Sequence, residues 1–153
     1  MNTLKERLRA DLNDAMRARD EVRKSTLRLA LSAIQNEEVA GSSARELSDD
    51  EVLKVLTREA KKRREAAEAF ENAGRPEQAA AERAEGEVLA DYLPKQLSDS
   101  ELHDLVASAI AQAGEAGTPP ALGQVMKAVT PQVAGRADGS RVAAEVRAQL
   151  AAR

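Results

Sequence analysis

Reactive side chains are scarce in this 153-residue sequence, which has one histidine, His103, and no cysteine. Thiolate nucleophiles, disulfides and sulfur-ligated zinc are therefore excluded. His103 has no serine or second histidine at motif spacing, so it reads as a surface or half-buried side chain and not as a catalytic base. Glu37 and Glu38 are neighbours that diverge by about 100° on a helix, which prevents them from sharing a substrate as a glycosidase pair does. They read as solvated charge. Asp49, Asp50 and Glu51 lack the spaced oxygens and glycine of a calcium loop, and fit a helix start, where negative charge complements the dipole. Gly135-Arg136-Ala137-Asp138-Gly139 has the glycines of a phosphate loop without the Gly-Lys-Ser/Thr that should follow. It reads as a turn in which Asp138 caps the last helix, leaving that helix start open to an anion in principle.

What remains is positive charge. Lys54, Arg58, Lys61 and Lys62 fall on one side of a helical wheel and are the residues best placed to meet phosphates. Arg63 falls on the apolar side instead, where Glu59, four residues earlier, is the expected partner.

These residues need helices to hold them. Thr3 and Glu6 have capping-box spacing, followed by Leu4, Leu8, Leu12 and Met16 at every fourth position, which predicts a helix over 3–18. Leu27, Leu31 and Ile34 predict a second helix ending before Gly41. Ser48 and Glu51 open a third, carrying Val52, Val55, Leu56, Ala60, Ala67 and Phe70 to a stop at Asn72 and Gly74. Pro76 suits the first turn of a fourth, over 77–92, with an exposed Ala/Glu-rich beginning and a packed end, broken by Pro94. Ser98 and Glu101 open a fifth, with Leu102, Leu105, Val106, Ala109 and Ile110 on one face as far as Gly114. Then Gly117, Pro119, Pro120, Gly123, Pro131, Gly135 and Gly139 cut the remainder into short helices over 121–129 and 140–151. The fold class is all-α. A long-helix hairpin or bundle domain over 1–93 precedes a small three-helix domain over 98–153.

Composition agrees. There are 23 Lys+Arg against 26 Asp+Glu, a formal charge of -3, and one Phe, one Tyr and no Trp. That balance lets the chain fold around an aliphatic core and supplies almost no rings on which bases stack, which disfavours RNA-recognition sheets and oligonucleotide barrels. No apolar run approaches the ~20 residues of a membrane span, and the N-terminus lacks the pattern of a signal peptide. The expectation is a cytoplasmic protein with no membrane and no DNA partner.

At Tyr92-Leu93-Pro94-Lys95-Gln96-Leu97-Ser98 the sequence resembles the hallmark of the GatB/YqeY family. Around it stand Arg23, Leu27, Arg28, Leu31, Ala33, Ile34, Asn36 and Glu37, then Glu59, Lys61, Arg63 and Glu65, and later Gly123, Val125, Met126, Lys127 with Gly135, Ala137, Asp138 and Gly139. This is the order and spacing of a stand-alone YqeY-like protein. The Gly123-Gln124-Val125-Met126-Lys127 segment is also similar to the end of the B subunit of the glutamine-dependent tRNA amidotransferase. In that enzyme the tail docks on the outer corner of tRNA while a separate domain does the chemistry. The resemblance implies two helical domains, tRNA contact through Lys127, Arg136 and Arg141, and packing or backbone roles for Gly123 and Gly135. It also implies partners among tRNA, amidotransferase or aminoacyl-tRNA synthetase machinery. The label that travels with such chains is carbon-nitrogen ligase with glutamine as amido-N-donor, yet no ammonia source, nucleotide loop or metal cluster is visible here.

The resemblance, together with the Lys54, Arg58, Lys61 and Lys62 face, implies a non-catalytic, cofactor-free tRNA-binding module related to the amidotransferase. The alternative is a protein-protein interaction module presenting the Ala-rich stretch of residues 79–90 to another helix, with no RNA ligand.

Overall fold

The structure is a computed structural model that describes residues 3–114 and 120–152. Seven helices and no strand are found among them: α1 Leu4–Ala18, α2 Glu21–Glu38, α3 Asp49–Asn72, α4 Pro76–Ala90, α5 Asp99–Gly114, α6 Leu122–Val133 and α7 Gly139–Ala151. Gly117 and Pro119, taken from sequence as helix breakers, lie outside the described residues. The chain separates into two compact units, Met1–Leu93 and Pro94–Arg153.

All three capping boxes form, and each sets a helix start. Thr3 Oγ1 accepts from Glu6 N at 3.1 Å while Glu6 returns a carboxylate to Thr3 N at 3.2 Å. Ser48 with Glu51 and Ser98 with Glu101 repeat the exchange. α1 closes on Arg19, a left-handed residue (φ 58°) whose N–H reaches back to the last turn, and Asp20 then caps α2 through Arg23 N. A two-residue turn thus folds α2 back along α1.

In the first unit α3 and α4 form a long hairpin on which α1 and α2 pack. Leu8, Leu27, Ile34, Val52, Leu56 and Leu89 are its buried centre. The start of α4 is mostly exposed, as its Ala/Glu composition suggests, but Ala79 is fully buried. A Cβ at Gly86 would sit only 3.7 Å from the Arg63 Cβ, so small residues let α4 lie close to α3. Ala79 and Gly86 are thus used inside the hairpin, while Ala80, Ala81 and Ala90 stay exposed.

α4 stops at Ala90, two residues before the sequence suggests. Its last turn tightens, with Asp91 N bonding to Val88 O and Tyr92 N to Leu89 O, three residues back in each case. That turn directs Tyr92 inward.

In the second unit α5, α6 and α7 pack on one another around Leu102, Val106, Ile110, Val125, Val129 and Val142. α6 runs on to Val133 instead of ending at Val129, with Pro131 inside it. Proline there forfeits only the bond to the Lys127 carbonyl, near the helix end, while Val133 completes the buried Val125, Val129, Val133 row. Apolar periodicity outweighs the break. Asp138 caps α7 by accepting from Ser140 N, as its turn sequence predicts.

Candidate functional site

In the first unit a polar knot forms around the single tyrosine. Tyr92 Oη donates to Asp11 Oδ2 at 2.5 Å, and Arg23 reaches both the Tyr92 oxygen at 3.5 Å and Asp91 at 3.2 Å. The Arg7 guanidinium stacks over the ring, 4.7 Å from its centre. Burial, followed by the Asp11 carboxylate, pushes the Tyr92 hydroxyl up to about 12. It stays protonated at neutral pH as a hydrogen-bond donor, and a nucleophilic phenolate is disfavoured. Beside it lies an open groove of about 600 Å³ bordered by Arg7, Asp11, Asp49, Leu53 and Tyr92. Asp49 is already engaged there, accepting from Leu4 N at 3.0 Å.

Glu38 departs from the solvated reading. It is buried, its two oxygens lie 2.8 and 2.9 Å from Lys5 Nζ, and one of them also accepts from Leu47 N at 3.2 Å. Lys5, helped by the Leu47 amide, holds its carboxyl below the usual range. This pair ties α1, the end of α2 and the start of α3 together. Only Glu37 is solvated, and it meets Arg58 at 3.5 Å.

Along α3 the four cations chosen from sequence are all exposed. Arg58 pairs with Glu37, Lys61 with Glu65 at 4.0 Å, and Lys62 with Glu59 at 3.2 Å. Lys54 alone of the four has no carboxylate at ion-pair distance among the described residues. Arg63 is not held by Glu59. It crosses to α4, where its guanidinium meets Glu82 at 3.1 Å and Glu85 at 3.4 Å. A helical wheel of α3 contains no information about α4, so it points to the nearer carboxylate of Glu59.

In the second unit two motifs distant in sequence meet. Gln96 donates its side-chain amide to the Gly135 carbonyl at 2.9 Å, and Leu97 N bonds to Arg136 O at 2.8 Å. Arg136 Nε reaches Lys95 O at 3.4 Å. Arg141 donates to Leu97 O at 2.9 Å and to Asp99 at 2.7 Å. Gly135, with φ 75°, makes the turn that the clamp needs, and Pro94 lies 3.9 Å from where its Cβ would be. Arg136 and Arg141, expected to face tRNA, therefore hold residues 95–99 in place. Lys127 and Gly123 are exposed on α6, and Lys127 has no ion pair among the described residues.

His103 is exposed and pairs with Glu145 at 3.0 Å, with Gln149 bridging both. Among the described residues no three His, Asp or Glu side chains converge as metal ligands do, and no helix is long and apolar enough to cross a membrane.

The sequence profile of a family described as Yqey-like protein matches residues 5–150. Altered inheritance of mitochondria protein 41 of Clavispora lusitaniae, a mitochondrial protein, is 35% identical over 86 residues, which are 56% of this chain and 49% of that one. An uncharacterized protein of Schizosaccharomyces pombe is 36% identical over 93 residues, 60% of this chain and 73% of the relative. The match to the Clavispora protein thus spans about half of its length. With the profile running through all seven helices, both the Tyr92–Ser98 motif and the turn that clamps it fall inside the match, and the chain belongs to the YqeY-like family.

Proposed function

We propose that this chain is a non-catalytic helical module that binds folded tRNA, working beside amidotransferase or aminoacyl-tRNA synthetase machinery in the cytoplasm. The observation that supports this reading most is Lys127, an exposed cation without an ion pair among the described residues, standing in the segment similar to the amidotransferase tail. Lys54 is a second available cation on α3. Arg58, Lys61 and Lys62 each face a carboxylate, and solvated pairs of this kind are weak enough to exchange for phosphate. The carbon-nitrogen ligase label belongs, in this reading, to enzymes that carry the chemistry on another domain. With so few contacts, affinity is modest, salt-dependent and governed by RNA shape. The test is a titration of folded tRNA with parent protein and Lys127→Glu. A several-fold loss on reversal supports the reading, and equal binding by both removes Lys127 from it.

A further inference from the structure

On α2 the outward face carries two pairs of residues with the same spacing. Val22 and Leu29 are large apolar side chains left 47% and 51% exposed. Glu21 and Arg28 stand seven residues apart on the adjacent track, roughly 10 Å along the axis. Glu21 is 74% exposed and holds only a local pair with Lys24, and Arg28 touches the sulfur of Met16 at 3.5 Å without a carboxylate partner among the described residues. Ser25, exposed, lies midway between the members of each pair.

We infer that this face of α2 is the interface of a homodimer, with α2 of a second copy lying antiparallel across it. A two-fold axis perpendicular to α2 at Ser25 exchanges positions that lie about equally far on either side. It therefore brings Glu21 opposite Arg28 of the second copy and Val22 opposite Leu29 of the second copy, and each contact occurs twice. Antiparallel helices placed this way meet flank to like flank, so the charged track faces the charged track and the apolar track faces the apolar one. The small Ser25 at the axis lets the backbones approach. Each guanidinium without a partner gains a carboxylate, and four exposed apolar side chains leave water. The Glu21–Lys24 pair is one turn of exposed helix and gives way at little cost. This self-complementarity is what selects a second copy as the occupant.

The experiment is sedimentation equilibrium of the full chain from micromolar to sub-millimolar concentration, with circular dichroism confirming equal helicity of each variant. The parent is expected to dimerise. Arg28→Glu replaces two attractions with two repulsions and should weaken the dimer about tenfold. The double exchange Glu21→Arg with Arg28→Glu restores complementarity and should recover it. Leu29→Asn weakens it without altering charge. A parent that stays monomeric throughout overturns the inference. So does a dimer indifferent to Arg28→Glu, or a double exchange no tighter than the single variant.

Discussion

Arg141, on the first turn of α7, donates from Nη1 to the Leu97 carbonyl at 2.9 Å and from Nη2 to Asp99 at 2.7 Å. One planar side chain thus joins the start of α7 to the start of α5, a task for which the guanidinium fork is suited and an ammonium is not. Arg141→Lys is expected to destabilise the protein by about 1 kcal/mol and Arg141→Ala by about 1–2 kcal/mol in urea unfolding. If either variant unfolds like the parent, the clamp is not a stabilising one.

Tyr92 connects stability to alkaline pH. Its folded value of about 12 lies above the ordinary 10, so the unfolded chain loses this proton first. The stabilisation is complete below pH 10 and declines as pH rises through 12. Tyr92→Phe is expected to lower stability at neutral pH by about 1 kcal/mol and to remove that part of the alkaline decline. Paired melts of parent and variant between pH 8 and 12 check it, because the other titrating groups are common to both.

At acid pH the sign reverses. The ion pair with Arg45 at 2.6 Å, with the Ser48 amide, lowers Glu51 from 4.5 to about 2, and Lys5 lowers Glu38 in the same direction. Both contributions are present above pH 4.5 and are lost as pH falls below it, that of Glu51 as pH approaches 2. Glu51→Gln and Glu38→Gln should each give a shallower acid transition than the parent, measured by helicity against pH.

Two backbone sites invite stabilisation. Arg19 occupies a left-handed position, and Arg19→Gly relieves that strain for a net gain of roughly 0.5 kcal/mol. Pro131→Ala returns a helical N–H to the Lys127 carbonyl near the end of α6 and should gain about 1 kcal/mol. Thermal melts showing loss instead of gain would mean that the rigid proline and the left-handed arginine are supported by more than these helices supply.

The sequence carried the helix starts almost residue by residue, because a capping box is a local device that needs only Thr3 and Glu6, Ser48 and Glu51, or Ser98 and Glu101. Long-range partners were invisible to it. Asp11 meets Tyr92 across 81 residues, and no local spacing announces that bond. Arg63 looked toward Glu59 because a wheel knows only its own helix, whereas the closer approach of α4 gave it Glu82 and Glu85. Helix spacing alone leaves Glu38 solvated, because the segment that covers it returns only at Leu47, nine residues later. Arg136 and Arg141 carry the expectation of tRNA contact from the resemblance, and no spacing announces that their guanidinium groups also reach the backbone carbonyls of Lys95 and Leu97. Of the seven cations chosen from sequence, Lys127 and Lys54 are the two left exposed without an ion pair among the described residues.

The most direct measurement is fluorescence anisotropy of labelled, folded tRNA titrated with the protein at low and at physiological salt, with a duplex RNA of equal charge as competitor. The account predicts saturable binding that weakens with salt, survives the duplex and drops on Lys127→Glu. Absence of binding at both salts, or complete displacement by the duplex, would contradict it.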